Sequence, residues 1–258
     1  MSTELETDLD TDLGGERGGR RLVLGAVGVA GFVAVWWVAS LFNPDYVLPP
    51  PDAVARTFLG ELRSGAMVVA LAQSVTHWLP GTVLGIALGV TLAYSDLADD
   101  VAAPIVRLLR PIPPLALIGF AIAWIGINDG GAAFIIAAGA LWINYYAAYG
   151  GVDSVPDEFV DVARSLGVTS DLELVRKVVL PAASSEILTG IRTGIGRCWM
   201  IIVAAEIFGV PGIGRKILTA SNNLAVDVVI AYILLMSLVY LVLDTGVEAI
   251  QKRVLAWR

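Results

Sequence analysis

The chain has 258 residues, 57% of them hydrophobic and 16% charged, with a formal net charge of −7. A water-soluble fold of that length cannot hide so much apolar surface in its core, so the composition excludes a soluble globular protein and points to a membrane. The single cysteine, Cys198, and the single histidine, His77, exclude an intrachain disulfide, a thiolate metal cluster and the usual zinc or serine–histidine sites. No cofactor, no metal and no nucleic acid is expected.

Residues 1–21 carry Glu4, Glu6, Asp8, Asp10, Asp12 and Glu16 against Arg17, Arg20 and Arg21, with few apolar residues and no periodicity. This acidic tail is expected to be disordered, and its acids before the first apolar run are unlike a signal peptide. The rest of the chain, 22–258, reads as one membrane domain with its core at 67–250. A first span is expected from about Leu22 to Phe42, ended by Asn43-Pro44-Asp45 and Pro49-Pro50-Pro51. Asp52 then stands where it can cap a short amphipathic helix through Arg63, with Val54, Phe58, Leu59 and Leu62 on one face and the membrane surface as its bed.

The second span, about Met67 to Tyr94, places Gly81, Gly85 and Gly89 at four-residue spacing. Such spacing lets another helix approach closely, and packing is favoured over a ligand site there. The string SDLADD reads as a polar loop, after which Pro104 and PIPP redirect the chain into a shorter third span, about Leu115 to Ile127. After the turn NDGG come a fourth span, about Ala132 to Tyr149, a polar stretch from Asp153 to Pro181, and a fifth span, about Glu186 to Phe208. A loop rich in Gly and Asn leads to the sixth, about Ala225 to Ile250. Six spans put both termini on one side. With that side inside, the inner segments hold eleven Lys and Arg (Arg17, Arg20, Arg21, Arg107, Arg110, Arg164, Arg176, Lys177, Lys252, Arg253, Arg258) and the outer ones four (Arg56, Arg63, Arg215, Lys216). The termini and the 153–181 loop are therefore expected in the cytoplasm of a multi-pass plasma-membrane protein.

Within that loop, Asp153 or Ser154 can cap a helix over 156–166 whose first turn holds Pro156, Asp157 and Glu158. Gly167 stands at its C-terminal cap. Ser170 and Glu173 have capping-box spacing at the start of a second helix, which Pro181 is expected to stop. Phe159, Val162, Ala163 and Leu166 share one helical face, which either the protein's own inner surface or a partner's groove must cover.

The string DVARSLG, followed fourteen residues after its glycine by Pro181 in VVLPA, resembles the EAA loop of ABC-importer permeases. Asp161, Val162 and Ala163 stand for the family's Glu-Ala-Ala triplet, and Gly167, Leu180 and Pro181 match its later positions. YVLPPPDAV, LLRPIPPLALIGFAIAWIGI, ILTGIRTGIGRCW and VVAAEIFG resemble the nitrate, sulfonate and taurine subfamily, so the likeness covers nearly the whole chain after the tail. The resemblance implies an all-α membrane protein of about six transmembrane helices, with the type I, MetI-like permease architecture and a cytoplasmic coupling helix. It implies a homodimer in the lipid bilayer, two cytoplasmic ATPase subunits and an external solute-binding protein. It implies alternating-access import of a small anionic solute, with Glu158, Phe159, Asp161, Val162, Ala163, Arg164, Leu166, Gly167, Leu180 and Pro181 coupling to the ATPase. The chain itself is then no enzyme. A stand-alone secondary transporter is the alternative, although no inverted repeat is visible.

The fifth span holds Glu186, Arg192, Arg197 and Glu206. A charge at mid-membrane costs about 2.5–3.5 kcal/mol on insertion scales, so the arginines cannot face lipid. Arg192, Trp199 and Glu206 fall on one face, about 140° from Arg197. Arg192 either attracts an anion on the translocation path or pairs with Glu186 or a carboxylate of another helix. Glu206 is either a gate residue or a packing partner for Arg215 or Lys216. Asn144, with Tyr145 and Tyr146, either lines the path or bonds neighbouring helices, and His77 reads as a hydrogen-bonded interior residue rather than a proton relay. GVPGIGRK is expected to be a turn, since it lacks the hydroxyl residue and the preceding strand of a phosphate loop.

Overall fold

The computed structural model describes residues 20, 23–207 and 210–254, all in helices and the turns between them. The acidic tail expected at 1–21 lies almost entirely outside them, as do Phe208 and Arg258. Four long helices carry the fold: α1 Val23–Ser40, α3 Ala66–Tyr94, α6 Asp129–Asp153 and α11 Val226–Val254. A fifth long element, Asp171–Glu206, is continuous through a local distortion. Between α1 and α3 lies α2, Pro51–Arg63; Pro50 takes the N-cap, so Asp52 sits in the first turn instead of capping it.

The packing of α3 on α6 follows from the glycines. A Cβ on Gly81, Gly85 or Gly89 would meet the backbone oxygens of Ala137, Leu141 and Tyr145 respectively, at 2.2, 2.4 and 2.5 Å. The backbones thus run parallel and nearly touch, as helices do when small residues replace side chains. The opposite edge of α6 takes the fifth long element in antiparallel fashion, with Gly190 against Ala147 and Gly194 against Ile143.

The expected polar loop SDLADD is instead the start of a helix, α4, Asp96–Leu109, because the Ser95 hydroxyl accepts the Ala98 N–H (3.3 Å) and acids occupy the first turn. Pro104 lies inside α4 without ending it. The break comes at PIPP, where a 3-10 turn, Pro114–Leu117, leads into α5, Ile118–Trp124, at 81° to α4. The third span is therefore not a helix over 115–127 but a bent pair, since α5 has only 7 residues.

Past α6 come α7, Asp157–Ser165, and α8, Asp171–Leu174. A π-helical turn, Val175–Val179, then joins α8 to α9, Leu180–Glu206. Pro181 was expected to stop the second loop helix. It does not: the Leu180 N–H reaches back five residues to the Val175 carbonyl. The wider turn spares the proline ring its clash with the carbonyl four residues earlier. The stretch expected as a Gly- and Asn-rich loop folds into α10, Ile213–Asn222, so GVPGIGRK is a turn only up to Gly212. The largest core cluster joins α3, α6, α9, α10 and α11 through buried residues such as Met67, Ile136, Ile202, Ile213 and Tyr232.

Candidate functional site

Two places in the bundle concentrate side chains that the packing does not explain, and α7 is the first. Its C-terminus closes as a full Schellman motif: Val168 N–H donates to the Ala163 carbonyl (3.1 Å) and Gly167 N–H to that of Arg164 (3.0 Å). Gly167 has φ +93°, a left-handed conformation that explains the glycine. At the N-terminus, Asp153 is still the last residue of α6 and the Ser154 hydroxyl donates to the Gly151 carbonyl, so neither caps α7; Pro156 holds that position. Nor does the capping box form on α8, because Glu173 pairs with Lys177 one turn along and leaves Ser170 without a side-chain bond.

The face expected to be apolar divides. Ala163, at its edge, is buried, with Val160 beside it against the cluster of Val152, Val179, Ala183 and Ile187. Phe159, Val162 and Leu166 are 48%, 58% and 82% exposed, and Leu172 on α8 adds a fourth exposed apolar side chain that its sequence neighbourhood did not single out. Glu158, Asp161 and Arg164 are exposed as well, whereas Leu180 and Pro181 are half-buried at the start of α9. Asp171 ties the loop together, accepting from the Tyr94 hydroxyl (3.0 Å) and lying 3.8 Å from Arg164. A polar cavity of about 400 Å³ lies under α7, bordered by Tyr94, Asp96, Asp157, Arg164 and Asp171.

The second place is α9. Arg192 is clamped by α11: its guanidinium donates to both Asp244 oxygens (2.5 and 2.8 Å) and to Glu248 (3.1 Å). Its partners are thus on another helix, and Glu186 is not one of them. Glu206 meets neither Arg215 nor Lys216, both of which point to solvent. It is fully buried; one carboxylate oxygen accepts the Gly214 N–H (2.7 Å) and the other lies 3.5 Å from His77 Nδ1. The Ser74 hydroxyl accepts the adjoining Ile213 N–H (3.1 Å). Two spans therefore supply the N-terminal caps of α10, since a helix start leaves its first N–H groups without internal partners. Gly212 makes room, as a Cβ there would lie 2.2 Å from the Glu206 carboxyl group.

Asn144 is buried and donates to Thr82 on α3 (3.3 Å) and to the Ala140 carbonyl (2.7 Å). Trp199 is buried in the main core. Of the four residues expected on a translocation path, Asn144, Trp199 and Glu206 thus lie inside the packed chain, and Arg192 is neutralised. The reason is geometric: the face of α9 that Arg192, Trp199 and Glu206 share turns toward α3, α10 and α11. Arg197, on the other side, is exposed.

Residues 81–256 match the model of the binding-protein-dependent transport system inner membrane component. The chain belongs to this family. The permease is 32% identical over 250 residues to a putative ABC transporter permease protein of Methanocaldococcus jannaschii, covering 93% of each chain. It is likewise 32% identical over 251 residues to the taurine transport system permease protein of Escherichia coli, covering 92% of this chain and 90% of that one. Among solved structures, a methionine ABC transporter in an inward-facing conformation superposes with a TM-score of 0.62 at 19% identity, covering 73% of this chain and 94% of that one. The fold is thus that of an ABC-importer permease, and the chain is the membrane subunit of such an importer, a family whose members work with ATPase subunits and a binding protein.

Proposed function

We propose that this permease imports a small anionic solute as a homodimer, with α7 seated in a groove of a cytoplasmic ATPase subunit. The observation that carries the coupling role is α7 itself. A short helix stiffened by a Schellman cap, with one edge buried on its own body and Phe159, Val162 and Leu166 left bare, has the form of a helix that docks in a partner's groove. Glu158, Asp161, Ala163 and Arg164 on α7, Gly167 just past its end, and Leu180 and Pro181 complete the coupling set, the last two where the π turn passes motion into α9. Such a helix transmits movement because its stem is rigid.

The sidedness follows from charge. The end with α7 and both termini takes the cytoplasmic side, which leaves α2 and α10 outside with only Arg56, Arg63, Arg215 and Lys216. The anionic solute rests on relatives named for taurine, aliphatic sulfonate and bicarbonate transport. The test is uptake of radiolabelled taurine, ethanesulfonate and bicarbonate into vesicles. Uptake that needs ATP and the ATPase subunits supports the reading, whereas uptake by the purified permease alone makes it a secondary transporter.

A further inference from the structure

The two arginines of α9 are alike in sequence context and opposite in surroundings. Arg192 is held by Asp244 and Glu248. Arg197 is exposed and has no ion pair among the described residues. At about 1.5 Å per residue, Arg197 lies about 14 Å from the Glu206 end of α9 and about 26 Å from Leu180, well inside a hydrocarbon layer about 30 Å thick. At about 100° per residue, Glu186, Thr193 and Arg197 fall within about 40° of one another, and all three are exposed. Hydrocarbon is no neighbour for such a polar stripe, since a guanidinium facing it costs about 2.5–3.5 kcal/mol on insertion scales. The face must border water or the polar groups of a second copy.

We propose that this stripe of α9 lines the solute path and that Arg197 is the group that binds the anion in transit; this rests on the anionic-solute reading above. The chemistry suits the task. A guanidinium offers a planar fork of N–H donors that matches the oxygens of a sulfonate or carboxylate. The Thr193 hydroxyl is already donated to the Gly190 carbonyl (3.0 Å), so Arg197 supplies the free donors of the stripe. A single cation also holds an anion weakly enough to release it, as a conducting path requires.

The experiment uses the complete complex, expressed with its own ATPase and binding-protein partners, and measures uptake of labelled taurine, ethanesulfonate and bicarbonate. Arg197→Gln is expected to lower uptake at least tenfold while assembly and basal ATP hydrolysis persist, and Arg197→Lys to restore part of it. In parallel, Arg197→Cys is probed with a membrane-impermeant anionic methanethiosulfonate. Labelling should be at least tenfold faster than for Val242→Cys on the exposed face of α11; native Cys198, only 3% exposed, is the internal control. Undiminished uptake by Arg197→Gln overturns the assignment. So does labelling of Arg197→Cys as slow as that of Val242→Cys, which places the side chain against lipid or a second copy. If the wild type imports none of the three anions, the anionic reading fails and the proposal falls with it.

Discussion

Helices α7 and α10 occupy opposite ends of the bundle, and both are short, amphipathic and set between long helices, yet they are held in opposite ways. α7 is closed by its own backbone through Gly167 and leaves an apolar stripe bare. α10 is closed by side chains brought from two spans, Ser74 and Glu206, and its apolar residues Ile213 and Ala220 are buried. A helix that carries its own caps can move as a unit against a partner. A helix whose caps belong to its neighbours moves only with them.

The comparison breaks most sharply at Gly167. Gly167→Pro removes the N–H given to Arg164 and cannot adopt φ +93°, so ATPase binding and ATP-driven uptake are expected to vanish, read by copurification and vesicle uptake. Next, Glu206→Ala strands the buried Gly214 N–H and should cost about 1–3 kcal/mol, seen as a lower unfolding temperature in detergent. Glu206→Gln keeps an acceptor and should cost less; equal losses would show that the cap is unimportant. Arg192→Gln leaves Asp244 and Glu248 without their partner, but the site is part-exposed and solvent screens it, so the unfolding temperature should fall less than for Glu206→Ala. In a double-mutant cycle with Asp244→Asn the two losses should not add, because both changes break the same pair. Smallest for stability is Phe159→Ala, within about 0.5 kcal/mol on an exposed face, although it should weaken ATPase binding severalfold. If Phe159→Ala unfolds the permease, the stripe is a packing surface.

The two ends also differ in how far they were legible from residues alone. The position of α7, the role of Gly167 and the apolar spacing are local patterns, read within one or two helical turns. The caps of α10 are only half so: Glu206 lies 8 residues from Gly214, but Ser74 lies 139 residues from Ile213 in sequence, and no local pattern announces it. The same limit left both readings of Arg192 on α9 open. Helical angles place Arg192 and Arg197 on different faces, but only the packing of Asp244 and Glu248 on α11 shows which face is closed. Pro181 was a local signal that tertiary structure overrode, since a π turn absorbs the proline that a regular helix would not. The glycines of α3 were read correctly because close approach needs only missing side chains.

The most direct measurement is a site-specific photocrosslink. With a photoreactive residue at Leu166, at the bare tip of α7, the assembled complex should give an adduct between permease and ATPase subunit. The same probe at Val68, exposed on α3 near the other end, should give none. Adducts from Leu166 only to lipid or to the permease itself would contradict the coupling role of α7.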